Sequence, residues 1–252
     1  MMGALADSLL HKTKKPTADA QWDSRIRFVN TNAGRLRMLD SIAGDSSAAS
    51  KPAVIFVPDG PCVIEHYLPL IQELSSDFRV VVFDMPGFGF SYPRWNYDFT
   101  VRPSADAIIA VLDALGIEKA SLAFSCANGF FALNTARRYP RRISQLVLSQ
   151  TPSIQSMKAW TDRIVPRPLR VPVAGQVIMH ATAKKFANGW FDVALEKEST
   201  QKEWFTSHAS HSVHHGGCFC LASLTQGLAK TTDAELAVSK TPTLLVYGAK
   251  DF

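Results

Sequence analysis

Lys119-Ala120-Ser121-Leu122-Ala123-Phe124-Ser125-Cys126-Ala127-Asn128-Gly129-Phe130 decides how this chain folds. Ala120 to Phe124 is short and mostly apolar, the pattern of a strand buried on both faces of a parallel sheet. From Phe130 the apolar spacing turns helical through Ala132, Leu133 and Ala136, and Arg137-Arg138-Tyr139-Pro140 closes that helix with cations and a proline. A strand that turns this abruptly into a helix lifts one side chain above the sheet. It also aims the next backbone N–H groups, and the positive end of the helix, at the same point. The residue on the tip is therefore a candidate nucleophile. Counting back from Tyr139-Pro140 and forward from Gly116-Ile117-Glu118-Lys119 places Cys126 there; a rival register places Ser125 there, between the small residues Ala123 and Ala127. Both registers stay open on sequence, with Cys126 the first choice.

Working outward, Arg25–Asn30 and Arg35–Asp40 alternate at period two around Thr31-Asn32-Ala33-Gly34 and read as a hairpin. Ala53–Val57 and Arg79–Phe83 are buried strands separated by an amphipathic helix through Tyr67, Leu68, Ile71 and Leu74. Ala105–Leu115 supplies a crossover helix into the quoted strand, and Ile143–Ser149 is the strand after it. Strands alternating with helices at short loops call for an α/β architecture: a mostly parallel, twisted sheet with helices on both faces. From about Pro152 to Thr232 the rhythm changes to helical stretches broken by prolines and rich in aromatics, with no strand pattern, before Thr243–Val246 restores the strand signal. Residues up to about Asp23 carry no periodicity and read as a loose arm.

With 252 residues, 46% hydrophobic and 19% charged, the chain can bury one large core. The net charge of +5 is mild and the cations are scattered, apart from a cluster at the end of the quoted helix, which argues against nucleic acid as a partner. The N-terminal stretch has only a brief apolar patch at Leu9-Leu10, too short for a secretory or membrane segment. The four cysteines, Cys62, Cys126, Cys218 and Cys220, lack disulfide-framework spacing, so a reducing, cytoplasmic setting is expected.

Asp84-Met85-Pro86-Gly87-Phe88-Gly89-Phe90-Ser91 closely matches the Asp-x-Pro-Gly-x-Gly-x-Ser turn, and the quoted corner matches the nucleophile elbow, of the α/β-hydrolases. Over nearly all of residues 25–252 the chain resembles the capped, epoxide-hydrolase and haloperoxidase-like branch of that superfamily, with cysteine in place of the elbow serine. The resemblance implies a flexible arm at 1–23, a core at 24–152, an inserted helical cap at 153–232 and the core resumed at 233–252. It implies an acid at Asp251 that orients a histidine. That histidine falls after one further strand and helix, so the resemblance leads to a chain that ends short of it. It implies an oxyanion hole built on the Ala127 N–H, with the Cys62 N–H as a substitute second donor because Pro61 has none.

The expected activity is hydrolysis of an ester, lactone or thioester of a small apolar substrate, with no cofactor and no metal. Alternatives are a non-catalytic relative that binds a ligand or partner, and a lyase or cyclase on the same scaffold. Asp59 beside a cysteine is expected to oppose thiolate formation. His208, His211 and His215, with Cys218 and Cys220 beyond, are the one constellation resembling a metal site; the spacing matches no standard zinc motif and reads instead as a solvent-facing helix. Leu244–Val246 is expected to lie exposed at a sheet edge.

Overall fold

The computed structural model describes residues 2–12, 14, 16, 23–43, 50–237 and 240–249. Its first element is a helix, α1 (Met2–His11), where the sequence leads to a loose arm. The reason is visible in what α1 buries. Gly3, Ala4, Asp7 and His11 form its inner stripe at helical spacing, and small or polar residues in that stripe give no apolar period to read. Most of residues 13–22 lie outside the described residues.

The hairpin forms as its alternation requires, β1 (Ile26–Thr31) antiparallel to β2 (Gly34–Asp40). Then follow β3 (Ala53–Val57), a 3-10 turn at Ile64–Tyr67, α2 (Leu68–Leu74), β4 (Arg79–Phe83), and the short strands β5 (Phe88–Gly89) and β6 (Tyr92–Pro93). The chain continues through α3 (Val101–Ala114), β7 (Ala120–Ser125), α4 (Asn128–Arg138) and β8 (Ile143–Ser149). After β8 come α5 (Ile154–Ile164), α6 (Ala174–Ala194), α7 (Lys202–His214), β9 (Cys218–Phe219), α8 (Leu221–Ala229) and α9 (Asp233–Leu236), and then β10 (Thr243–Val246). The two-residue β9, too short for any periodic signal, pairs with β5 and corrects the expectation that this stretch holds no strand.

The main sheet runs β1-β2-β4-β3-β7-β8-β10, with β6 beside β2. The pairings β1–β2, β2–β4 and β2–β6 are antiparallel and those from β4 through β10 are parallel. Because successive strand residues point to opposite faces, Val80 and Val82 of β4 pack with Ile64 and Ile71 on one side while Val81 and Phe83 join α3 and α4 on the other. The five residues of β4 are all buried, as a strand covered on both faces should be. At the far edge, β10 has all four residues exposed, as the sequence leads one to expect.

The Asp84–Ser91 turn is fixed by charge. Arg37, fully buried, donates to Asp84 (2.8 Å) and in a fork to both oxygens of Glu65 (2.8 Å each), and its guanidinium lies 4.6 Å from the centre of the Phe90 ring. Asp84 also accepts the Phe90 and Ile64 amides, and Ser91 accepts the Arg37 amide. These bonds close the loop beside β2.

Candidate active site

β7 ends at Ser125 and α4 starts at Asn128, so the turn between them has two residues. Cys126 takes the left-handed conformation, φ 50°, that L-residues avoid, and Ala127 is already helical. Of the two registers left open by the sequence, Cys126 therefore occupies the tip. Ser125 is the last strand residue, and its hydroxyl is bonded to the Tyr67 phenol. The tip is held from behind. The Cys126 amide donates to Ser149 (2.9 Å), and its carbonyl accepts from the Gly129 amide (3.2 Å) and the Thr151 hydroxyl (3.1 Å). A side chain at Gly129 would place its Cβ 2.1 Å from that hydroxyl, which is why the position three after the tip is glycine.

Phe124 and Asn128, large for their places in such a corner, are absorbed differently. Phe124 points into the core, and Asn128 is buried with its amide donating to Pro58 (3.2 Å), tying the start of α4 to the loop after β3. That loop supplies the sulfur's partner. β3 and β7 pair in parallel with Val57 opposite Phe124, and two residues further along each strand the register brings Asp59 beside Cys126. The Asp59 carboxyl hydrogen-bonds the Cys126 thiol, and the Ala127 amide donates to the same sulfur.

Asp59 keeps some contact with solvent, yet protein crowds it so closely that burial pushes its carboxyl up to about 7; the bond to Cys126 pulls the other way. Burial, and then the charge of Asp59, push the partly exposed Cys126 thiol well up, so the resting pair is a thiol and a carboxyl close to half-ionised at neutral pH. Phe88 and Phe219, edge to face at 6.0 Å, lie against Gly60 and form an apolar wall next to this pair.

The Cys62 amide, expected as a second oxyanion donor, is already engaged. It donates to the carbonyl of Asp59 (2.8 Å), closing the Asp59–Cys62 turn, so it points into the loop. Asp251 lies outside the described residues. His66 is buried, its Nδ1 accepting the Val63 amide (2.9 Å) and its Nε2–H donating to the carbonyl of Phe205 (2.9 Å). Phe191, Trp204, Phe205 and His208 ring it, so these aromatics fasten α6 and α7 to the core. His211 stacks on His215 at 3.9 Å on the outside of α7. The metal-like constellation weighed on sequence does not assemble: Cys218 and Cys220 are buried, and Cys220 meets residues of α1 instead. Asp59 and Tyr67 are the site residues that the sequence undervalues. The available signal was the Pro58-Asp59-Gly60-Pro61 turn at the carboxyl end of a parallel strand, where open α/β sheets place their ligands.

A family model for the alpha/beta hydrolase fold matches residues 52–252. The chain belongs to the α/β-hydrolase fold family. Among curated relatives it is 30% identical over 124 residues to a 2-hydroxy-6-oxo-2,4-heptadienoate hydrolase of Pseudomonas putida, covering 48% of this chain and 45% of that protein. It is 28% identical over 103 residues to an uncharacterized hydrolase of Saccharomyces cerevisiae, covering 41% of this chain and 36% of the other. The chain thus spans less than half the length of these relatives. Among solved structures it is similar to an epoxide hydrolase of Vigna radiata, with TM-score 0.67, 17% identity, and 90% and 81% of the two chains covered. It is similar to an enol-lactonase of Burkholderia xenovorans, with TM-score 0.59, 19% identity, and 88% and 81% covered. At these identities the likeness shows the fold. Among the described residues no helix is long and apolar enough to cross a membrane.

Proposed function

We propose that this α/β-hydrolase cleaves an ester, lactone or thioester of a small apolar substrate through a thioester on Cys126, with α5–α8 as the cap over the site. The observation that carries the reading is a thiol on a left-handed tip with a carboxyl bonded to it that burial pushes up to about 7, close to half-ionised at neutral pH. The Cys126 sulfur attacks the carbonyl carbon as its proton passes to the Asp59 carboxylate. The carbonyl electrons move onto oxygen, where the Ala127 N–H meets the developing charge. Collapse expels the leaving oxygen or sulfur, which takes the proton back from Asp59. Asp59 then removes a proton from water as it attacks the thioester, releasing the acid and returning the thiol.

A histidine held by Asp251, the arrangement implied by the family resemblance, would take the same proton, and one variant separates the two routes. With p-nitrophenyl acetate and butyrate as probes, Cys126→Ala should abolish turnover, and Asp59→Asn should lower kcat by about 100-fold or more if Asp59 is the acceptor. A histidine route leaves Asp59→Asn active. A second reading, a non-catalytic ligand binder, is favoured by one observation: Pro61 has no N–H and the Cys62 amide is engaged within its own turn, so neither joins the Ala127 amide at the sulfur. A Cys126 inert to dilute iodoacetamide, with no esterase activity, would establish that reading instead.

A further inference from the structure

α1 carries Asp7 and His11 one helical turn apart on its buried face, and both look across at Cys220, which precedes the first residue of α8. One ligand atom from each of the three lies within 4.8 Å of the others. We infer that Asp7, His11 and Cys220 form a zinc site that clips the N-terminal helix to the segment joining β9 and α8.

The chemistry of the surroundings supports a cation there. Asp7 is 2% exposed, His11 7% and Cys220 2%, and among the described residues no ion pair reaches Asp7. Three buried groups that would be costly to ionise singly become good ligands around a divalent cation, which takes up the carboxylate and thiolate charges together and leaves the site neutral.

The second layer is already in place. The His11 Nδ1–H donates to the Asp7 carbonyl (2.7 Å), which fixes the ring and leaves Nε2 with its lone pair. The Ser223 hydroxyl donates to one Asp7 oxygen, and Gln176 donates to that hydroxyl (2.6 Å). An oxygen, nitrogen and sulfur set of three suits zinc, a borderline ion, better than calcium or magnesium, which prefer oxygen alone. Water or His180, whose ring centre lies 5.5 Å from that of His11, is available for the fourth position.

One group opposes the cation: Lys14, anchored on the Gly217 carbonyl (3.0 Å), places its charge near His11 and Cys220. Through Cys220, whose amide donates to the Gly87 carbonyl (2.9 Å), the clip would hold α1 against the Asp84–Ser91 turn.

Cobalt and zinc added to the whole, metal-stripped 252-residue chain test this. Cobalt should bind one per chain with a thiolate-to-metal charge-transfer band that zinc displaces. Cys220→Ser should remove the band, and Lys14→Gln should tighten binding severalfold. On the unaltered chain, zinc-edge X-ray absorption should show one sulfur at about 2.3 Å among nitrogen and oxygen at about 2.0–2.1 Å. That measurement needs no variant to fold. The surface pair His211 and His215 binding zinc alone would give no sulfur and no band. A spectrum without sulfur, or a band that survives Cys220→Ser, overturns the proposal and leaves the trio as a hydrogen-bonded packing contact.

Discussion

Cys126 holds φ at 50°, and a side chain in that region costs roughly 1–2 kcal/mol that glycine escapes. Position 126 is therefore expected to invert the usual order of small residues: Cys126→Gly should be more stable than Cys126→Ala by about 1 kcal/mol in urea unfolding. Equal or reversed stabilities would mean the tip lies elsewhere. Asp59 makes a second prediction at this scale. Its folded-state pKa near 7 lies above the 3.8 of a free carboxyl, so between about pH 4 and 7 the folded chain binds more protons than the unfolded one. Stability contributed by the neutral carboxyl is present below pH 4 and lost as pH rises toward 7. Asp59→Asn should flatten that part of the stability–pH curve. The same ionisation supplies the base, so under the proposed mechanism esterase activity rises through the window in which stability falls.

Among the elements, the joint between β2, β4 and the loop after β3 depends on one charged cluster. Arg37 has no exposed surface and binds two carboxylates, and burial pushes Asp84 up to about 6 even with that guanidinium beside it. Arg37→Met leaves both acids without their cation and is expected to destabilise the chain by about 3–5 kcal/mol, read as a lower urea midpoint with unchanged slope. A variant as stable as the parent would show that the cluster only orients the turn. His66 plays a comparable part with no charge, joining the loop after β3 to α7 through the Phe205 carbonyl.

At the scale of the whole sheet, β10 is an exposed edge among the described residues: Leu244 is 59% and Leu245 56% exposed, beside Val246 and Tyr247. An apolar strand with an unpaired side templates other chains. The purified 252-residue chain is expected to self-associate with rising concentration, and Leu245→Lys should shift light scattering toward monomer without lowering the unfolding midpoint. A parent chain that stays monomeric would contradict this.

The sequence by itself determined the sheet, the elbow and the turn at Asp84–Ser91, because each rests on local period or on residues adjacent along the chain. Ala120–Ser125 shows no alternation because both faces of the strand are covered, and the helical spacing resumes within a few residues of Cys126. Only tertiary structure decided between Cys126 and Ser125 at the tip, since a one-residue shift changes no composition and is settled by backbone φ. Tertiary structure also set Asp59 against the thiol, where its charge opposes the thiolate as expected while its carboxyl is bonded to the sulfur, because which strands lie side by side, and in what register, follows from packing of the whole sheet. The same holds for α1, whose inner stripe of small and polar residues has no apolar period and acquires its place only when Cys220 and Ser223 are there to meet it.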